Sequence, residues 1–390
     1  MDCRRLRDRR RNVWARIAVA RYEHVSSRRV APTYRNGCPA QTCGGRQSQR
    51  GRHRLLPVPR CRLERDRGRI RSWRCSMREG LSRNLKSIFA GEEAAIVTDD
   101  WRLAEWLAVR DIPAMTFDEI GAGDIEVPKR ALAVPLDWDR VPSRQALRDT
   151  WSATSVLWLP LASFSSDLDT AKYSVEMFSE VDVSRSVAMN RRVITRLLMV
   201  HEEITMTGPD TALKVRLPDT LHAVGRTRVA LLDDEYSTLG NYFEVGMSPT
   251  DMAGRIDASM SVSEVVRVDS VLVAKHREMR RESASSFWAA ADVAEALRKV
   301  CPFQVTIEDN RIVDGFGEWA KAIHTLSGPQ YHYALTEVAI GTGALPLGRV
   351  EWGLNSVLNE GATGIHIGVG NGLNGVHFDF ISTEARLDGI

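Results

Sequence analysis

Three short runs near the end of the chain are of strand length, bounded by glycine, and carry polar side chains inside apolar sequence. They are Ala334-Leu-Thr-Glu-Val-Ala-Ile-Gly-Thr-Gly, Gly364-Ile-His-Ile-Gly-Val-Gly and Gly375-Val-His-Phe-Asp-Phe-Ile. Successive side chains of a strand point to opposite faces. In the last run His377 and Asp379 therefore share one face, while Val376, Phe378 and Phe380 take the other. In the middle run His366 shares its face with Gly368 and Gly370, which leaves space beside the imidazole. The turn-rich Asn371-Gly-Leu-Asn-Gly between these runs lets the two strands lie side by side, bringing His366 within reach of His377 and Asp379. In the first run Glu337 stands among apolar residues, where burying a carboxylate is costly unless a cation pairs with it. Two histidines with at least two carboxylates make a mixed nitrogen and oxygen donor set, suited to zinc, cobalt, manganese or iron rather than calcium.

A chain of 390 residues is longer than one comfortable hydrophobic core, so two domains are expected. From Ala94, an apolar strand pattern runs into Trp101-Arg-Leu-Ala-Glu-Trp-Leu-Ala, a helix pattern with an Asp cap before it. Further apolar runs at Ala131 and Ser155 flank a polar, helix-like stretch at 142–150, which reads as parallel strands with crossovers. No glycine-rich phosphate loop follows any of these strands. Beyond residue 200, Ile204-Thr-Met-Thr, Leu213-Lys-Val-Arg-Leu, Arg228-Val-Ala-Leu-Leu and Val305-Thr-Ile give β signals. The expected fold is an α/β N-terminal domain over 77–200, followed by a mixed, β-rich α+β C-terminal domain over 201–390 that carries the site. A helical insertion is expected at 274–300.

Residues 1–76 differ in kind. They hold 22 Arg, no Lys, five acids and five of the six Cys, so the remainder is acidic by roughly a dozen charges. Dense arginine suits phosphates, but this segment lacks apolar periodicity and standard zinc-ligand spacing. It reads as disordered, upstream G+C-rich sequence, with initiation at Met77. Without it only Cys301 remains, which excludes a disulfide framework and fits a reducing cytoplasm. No stretch is apolar and long enough for a membrane helix. Neither nucleic acid nor membrane is expected as a partner.

The order Glu337-Val-Ala-Ile-Gly-Thr-Gly, Gly364-Ile-His-Ile-Gly-Val-Gly and His377-Phe-Asp379 resembles the closing motifs of the thermophilic-type metallo-aminopeptidases (leucyl aminopeptidase and aminopeptidase T). Upstream, Glu244-Val-Gly-Met-Ser-Pro is similar to that family's Gly-Gly-Glu-Val-Phe-x-Ala-Pro segment. The resemblance covers about residues 200–381. It implies a homodimeric hydrolase acting on peptides or small amides, with metal ligands Glu244, Glu337, His366, His377 and Asp379. It also implies one or two divalent ions, with Glu244 or Glu337 managing the proton. Tyr242-Phe243 replaces the family's Gly-Gly and is expected to place two rings at the entrance. Leu373 falls where the family carries a Tyr. A non-catalytic peptide-binding protein without metal is the alternative on the same fold. A more distant resemblance, to 2,5-dihydroxypyridine 5,6-dioxygenase, implies a single-iron ring-cleaving enzyme. His324 and His332 flank Glu337 and are expected to have structural or surface roles.

Overall fold

Helix caps and apolar alternation set the elements of the computed structural model, which describes residues 67–200, 202–251, 253–279 and 284–390, without the side chains of 67–76 and 284. Helix α1 (Arg67–Ile88) leads into β1 (Ala95–Thr98), α2 (Trp101–Ala108), β2 (Ala114–Thr116), α3 (Phe117–Ala122), β3 (Arg130–Val134), α4 (Arg144–Thr150) and β4 (Ser155–Trp158). The side chains of Asp100, Thr116 and Ser143 accept hydrogen bonds from backbone N–H groups in the first turns of α2, α3 and α4. Two longer helices follow, α5 (Leu168–Glu180) and α6 (Val183–Met199), capped by Asp167 and Asp182.

The chain then becomes strand-rich: β5 (Glu203–Gly208), β6 (Thr211–Arg216), β7 (Ala223–Val224), β8 (Tyr236–Thr238), α7 (Gly240–Phe243), β9 (Glu244–Met247), β10 (Ser261–Val268) and β11 (Ser270–Ala274). After α8 (Ala284–Val300) come β12 (Phe303–Glu308), β13 (Arg311–Asp314), α9 (Ala320–Ser327), β14 (Leu335–Gly341), α10 (Val357–Glu360), β15 (Ile365–Val369), β16 (His377–Ser382) and β17 (Arg386–Leu387).

The fold is mixed, with one parallel and two antiparallel sheets among the described residues. The parallel sheet has the order β2-β1-β3-β4-β8 and the antiparallel sheets β13-β12-β10-β6-β5-β17 and β11-β16-β15-β14-β9-β7. Both faces of the parallel sheet are covered: Ile96, Leu132 and Leu157 pack on one side, Val97, Ala131 and Val156 on the other. Its fifth strand, β8, lies beyond residue 200, and residues 72–390 form one compact unit. Between the antiparallel sheets lies the largest core, in which Leu213, Val262 and Val305 meet Val338, Ile367 and Phe378, with Phe287 and Leu297 of α8 against them.

Three sequence expectations need correction. Residues 67–76 belong to α1, so the disorder expected as far as 76 does not hold there, and 1–66 lie outside the described residues. Arg228-Val-Ala-Leu-Leu is not a strand. Glu235 accepts hydrogen bonds from the Arg226 and Arg228 guanidinium groups and from the Leu232 N–H, which folds the segment into a turn with Leu232 exposed. In the stretch 274–300, Ala274 ends a strand and the helix occupies Ala284–Val300, with 280–283 outside the described residues.

Candidate metal centre

Four neighbouring strands of the second antiparallel sheet carry the polar residues singled out above. Register places Gly368 of β15 opposite both Asp379 of β16 and Glu337 of β14, and His366 opposite Ala339. Gly341 of β14 lies opposite Glu244 of β9. Since alternate residues share a face, Glu244, Glu337, His366, His377 and Asp379 all project from one side. The other side presents Val245, Val338, Ile340, Ile365, Ile367, Phe378 and Phe380 to the core. A register shift between Leu335 and Glu337 makes this possible: Leu335 faces the core, and the extra residue turns Glu337 to the polar side.

The space left by glycine is filled by a ring. A Cβ on Gly368 would lie 2.4 Å from Cε1 and 2.7 Å from Nε2 of His377, and 3.0 Å from Cβ of Glu337. His377 Nδ1 donates to the Gly370 carbonyl oxygen at 2.6 Å, which aims Nε2 at the carboxylates, 2.7 Å from Asp379 Oδ1 and 3.4 Å from Glu337 Oε2. A histidine tied to a backbone carbonyl through one nitrogen and open at the other has the arrangement of a metal ligand. His366 Nε2 stands 3.7 Å from Glu244 Oε2 and 4.0 Å from an oxygen of a sixth residue, Glu360.

The donor atoms form two overlapping groups, Glu337, Glu360, His377 and Asp379, and Glu244, Glu360 and His366, with the atoms of each within 4.8 Å of one another. Glu360 belongs to both. It is the residue that strand reasoning missed, because it comes from the four-residue helix α10. The signal was available: Val357-Leu-Asn-Glu-Gly-Ala sets a carboxylate in an apolar, glycine-ended run, as around Glu337. Tyr331 was missed too. Its ring is fully buried and its hydroxyl, held by Asn374 and Gln330, lies within the electrostatic reach of His377.

Electrostatics put the cluster under strain. Burial, then the charges of Glu244, Asp379 and Glu337, push the pKa of Glu360 well above the usual carboxylate range. Burial works against a charge on His377, but Asp379 and Glu337 overcome it and hold the imidazole's pKa well above its ordinary value. Neither ring nitrogen of His366 and neither carboxylate oxygen of Asp379 has a hydrogen bond of good geometry, although Asp379 faces His377 at ion-pair distance. Buried polar atoms left in this state are uncommon in folded proteins. They fit a donor set shaped for a cation. Asp379 and His366 are sealed from solvent, whereas His377 at the rim keeps 12% side-chain exposure.

Other expected features lie off the site. The rings of Tyr242 and Phe243 are fully buried in the core beneath α1 and the parallel sheet, and the Tyr242 hydroxyl donates to the Val229 carbonyl oxygen. They do not crowd the entrance, because α7 turns them toward that core while β9 turns Glu244 to the site. His324 and His332 face each other at 5.5 Å between ring centroids, outside both donor groups.

The family model described as crocagin biosynthetic protein CgnE/B matches residues 91–390. The chain belongs to this family. No curated protein matches it. Among solved structures it is similar to wild-type AmpT from Thermus thermophilus at 14% identity and a TM-score of 0.43, over 82% of this chain and 96% of that one. This likeness is too slight to assign an activity.

Membership in the CgnE/B family overturns the assignment to the thermophilic-type metallo-aminopeptidases, and with it the aminopeptidase and metalloprotease activity expected from the closing motifs. The peptide-binding and ring-cleaving alternatives rested on the same resemblance and are not carried forward. The physical reason lies in what the motifs encode: acids and histidines at alternate positions of adjacent strands specify a donor geometry, and one geometry serves more than one chemistry. Among the described residues no helix is long and apolar enough to cross a membrane.

Proposed function

We propose that this chain serves a biosynthetic pathway through a divalent-metal centre formed by Glu244, Glu337, Glu360, His366, His377 and Asp379. The observation that carries this reading is the convergence of four buried carboxylates, the buried His366 and the partly buried His377 in two groups that share Glu360. Like charges gathered in a desolvated space are unfavourable unless a cation balances them. The donor types favour zinc, cobalt, manganese or iron, and the shared carboxylate favours a pair of ions. A bound ion supplies Lewis acidity to an oxygen of a pathway intermediate. Around it, His377 is oriented by the Gly370 carbonyl and Asp379 is sealed beneath. The family's description supports a biosynthetic role over hydrolysis. The lone cysteine of residues 77–390 suits a reducing cytoplasm, the compartment we propose.

The test is elemental analysis of the purified full chain after exposure to zinc or manganese, beside Asp379→Asn and Glu360→Gln. The wild type is expected to retain metal through gel filtration and the variants to lose it. A wild type that retains neither metal, or variants that retain as much, would end the reading.

A further inference from the structure

Glu360 differs from the other five residues of the site in what holds it. They stand on strands of one sheet, whereas Glu360 ends a four-residue helix, α10, too short to be stable by itself. The neighbouring Asn359, fully buried, uses its whole amide to fix that helix. The Tyr173 hydroxyl donates to Asn359 Oδ1 at 2.6 Å, and Nδ2 donates to the carbonyl oxygens of Glu351 and Leu354 at 2.9 and 2.8 Å. The Glu351 backbone N–H in turn donates to the Tyr173 hydroxyl oxygen at 3.1 Å, closing a ring of three residues. Beside it, Ser174 Oγ lies 2.8 Å from Ser356 Oγ, and Ser356 caps α10 through the Leu358 N–H. On the far side α10 is pressed close, since a Cβ on Gly361 would meet Phe243 Cβ at 2.7 Å.

A carboxylate repelled by three others is driven away from them, and the hydrogen bonds that fix α10 oppose that movement. Both Tyr173 and Ser174 belong to α5, a helix that packs on the parallel sheet and takes no other part in the site. We infer that Tyr173 and Ser174 are positioning residues for Glu360, so that helix α5 sets the place of the carboxylate shared by the two donor groups. This inference rests on the metal reading above. Partners that orient a metal ligand are commonly worth about 10- to 100-fold in metal affinity.

The experiment titrates zinc, and separately manganese, into the metal-free full chain by calorimetry for the wild type, Tyr173→Phe, Ser174→Ala and Asn84→Ala. Urea unfolding midpoints are read in EDTA. Asn84 is the control for loosening of the same helix: its Nδ2 donates to the carbonyl oxygens of Phe178 and Val181 at the C-terminal end of α5, at a distance along the helix from Tyr173 and Ser174. Tyr173→Phe and Ser174→Ala are expected to weaken metal binding about tenfold, while Asn84→Ala lowers the midpoint and leaves affinity within about twofold of wild type. If Tyr173→Phe and Ser174→Ala bind like the wild type, or Asn84→Ala weakens binding as much as they do, the positioning role is wrong and the metal centre stands. If the wild type binds neither metal, the metal centre and this inference fall together.

Discussion

Gly368 is the position where one methyl group tests the geometry of the site. The Cβ of Gly368→Ala would sit 2.4 Å from His377 Cε1, where ordinary contact begins at 3.4 Å, so the ring must retreat by about 1 Å. Retreat is blocked on the other side, because Nδ1 is already at 2.6 Å from the Gly370 carbonyl oxygen and β16 is paired along its length with β15 and β11. Overpacking of this kind costs about 1–3 kcal/mol. Metal–ligand distances tolerate only about 0.2 Å, so a displacement of about 1 Å removes His377 as a ligand. We expect Gly368→Ala to lower unfolding stability in EDTA by that amount and to weaken zinc or manganese binding by about 100-fold. Urea titration and calorimetry read the two effects. Gly348→Ala, whose Cβ would meet nothing within 4 Å, is the control and should change neither. Wild-type metal affinity in Gly368→Ala would refute the claim that the ring occupies the space that Gly368 leaves.

Three further outcomes follow from other parts of the fold. Asn190 is fully buried, donates to the carbonyl oxygens of Arg226, Asn241 and Tyr242 and accepts from the Thr342 hydroxyl; the Asn241 carbonyl also accepts from the Arg226 N–H, so Asn190→Ala removes the side-chain partner of the Arg226 and Tyr242 carbonyls and of Thr342 and should cost about 2–3 kcal/mol in urea unfolding. Burial pushes the Cys301 thiol up to about 11 from 9.0, and a raised pKa leaves less thiolate below that pH. Its alkylation by iodoacetamide at pH 8, followed by peptide mass mapping, should therefore run about a hundredfold slower than for an unperturbed thiol, and keep accelerating as the pH rises toward 11. Met77 is the first described residue of the buried core, with Leu81, Leu85 and Ile88 following on the same helix. A chain begun at Met77 should accordingly unfold at the same urea midpoint as the full chain, and a clearly lower midpoint would give the preceding residues a structural role.

The strands of the site were legible because period-two alternation is enforced by burial. His366, His377 and Asp379 sit among residues that must face the core, so a slip by one residue would expose Ile367, Phe378 and Phe380. Pairing of β15 with β16 followed from the turn residues between them. Glu360 was not legible by that logic, because α10 has no period of its own and is held by long-range hydrogen bonds to α5. The bulge before Glu337 was equally hidden, since it is decided by the pairing of β14 with β15 and leaves no turn signal in the local sequence. At Arg228–Leu232 local strand propensity lost to three hydrogen bonds accepted by Glu235. Tyr242 and Phe243 were placed at the entrance by analogy with a motif, whereas α7 turns their rings into the core beneath α1. The largest error was functional: a donor set was legible, and the activity read from it by resemblance was not.

Whether Glu244, Glu337, Glu360, His366, His377 and Asp379 hold metal is tested most directly by diffraction from crystals grown with zinc or manganese, with anomalous data collected at that metal's absorption edge. One or two anomalous peaks are expected among these six side chains, with Glu360 adjoining both where there are two. A map with no peak there, and with the carboxylates paired to protein groups or to water alone, would contradict that expectation.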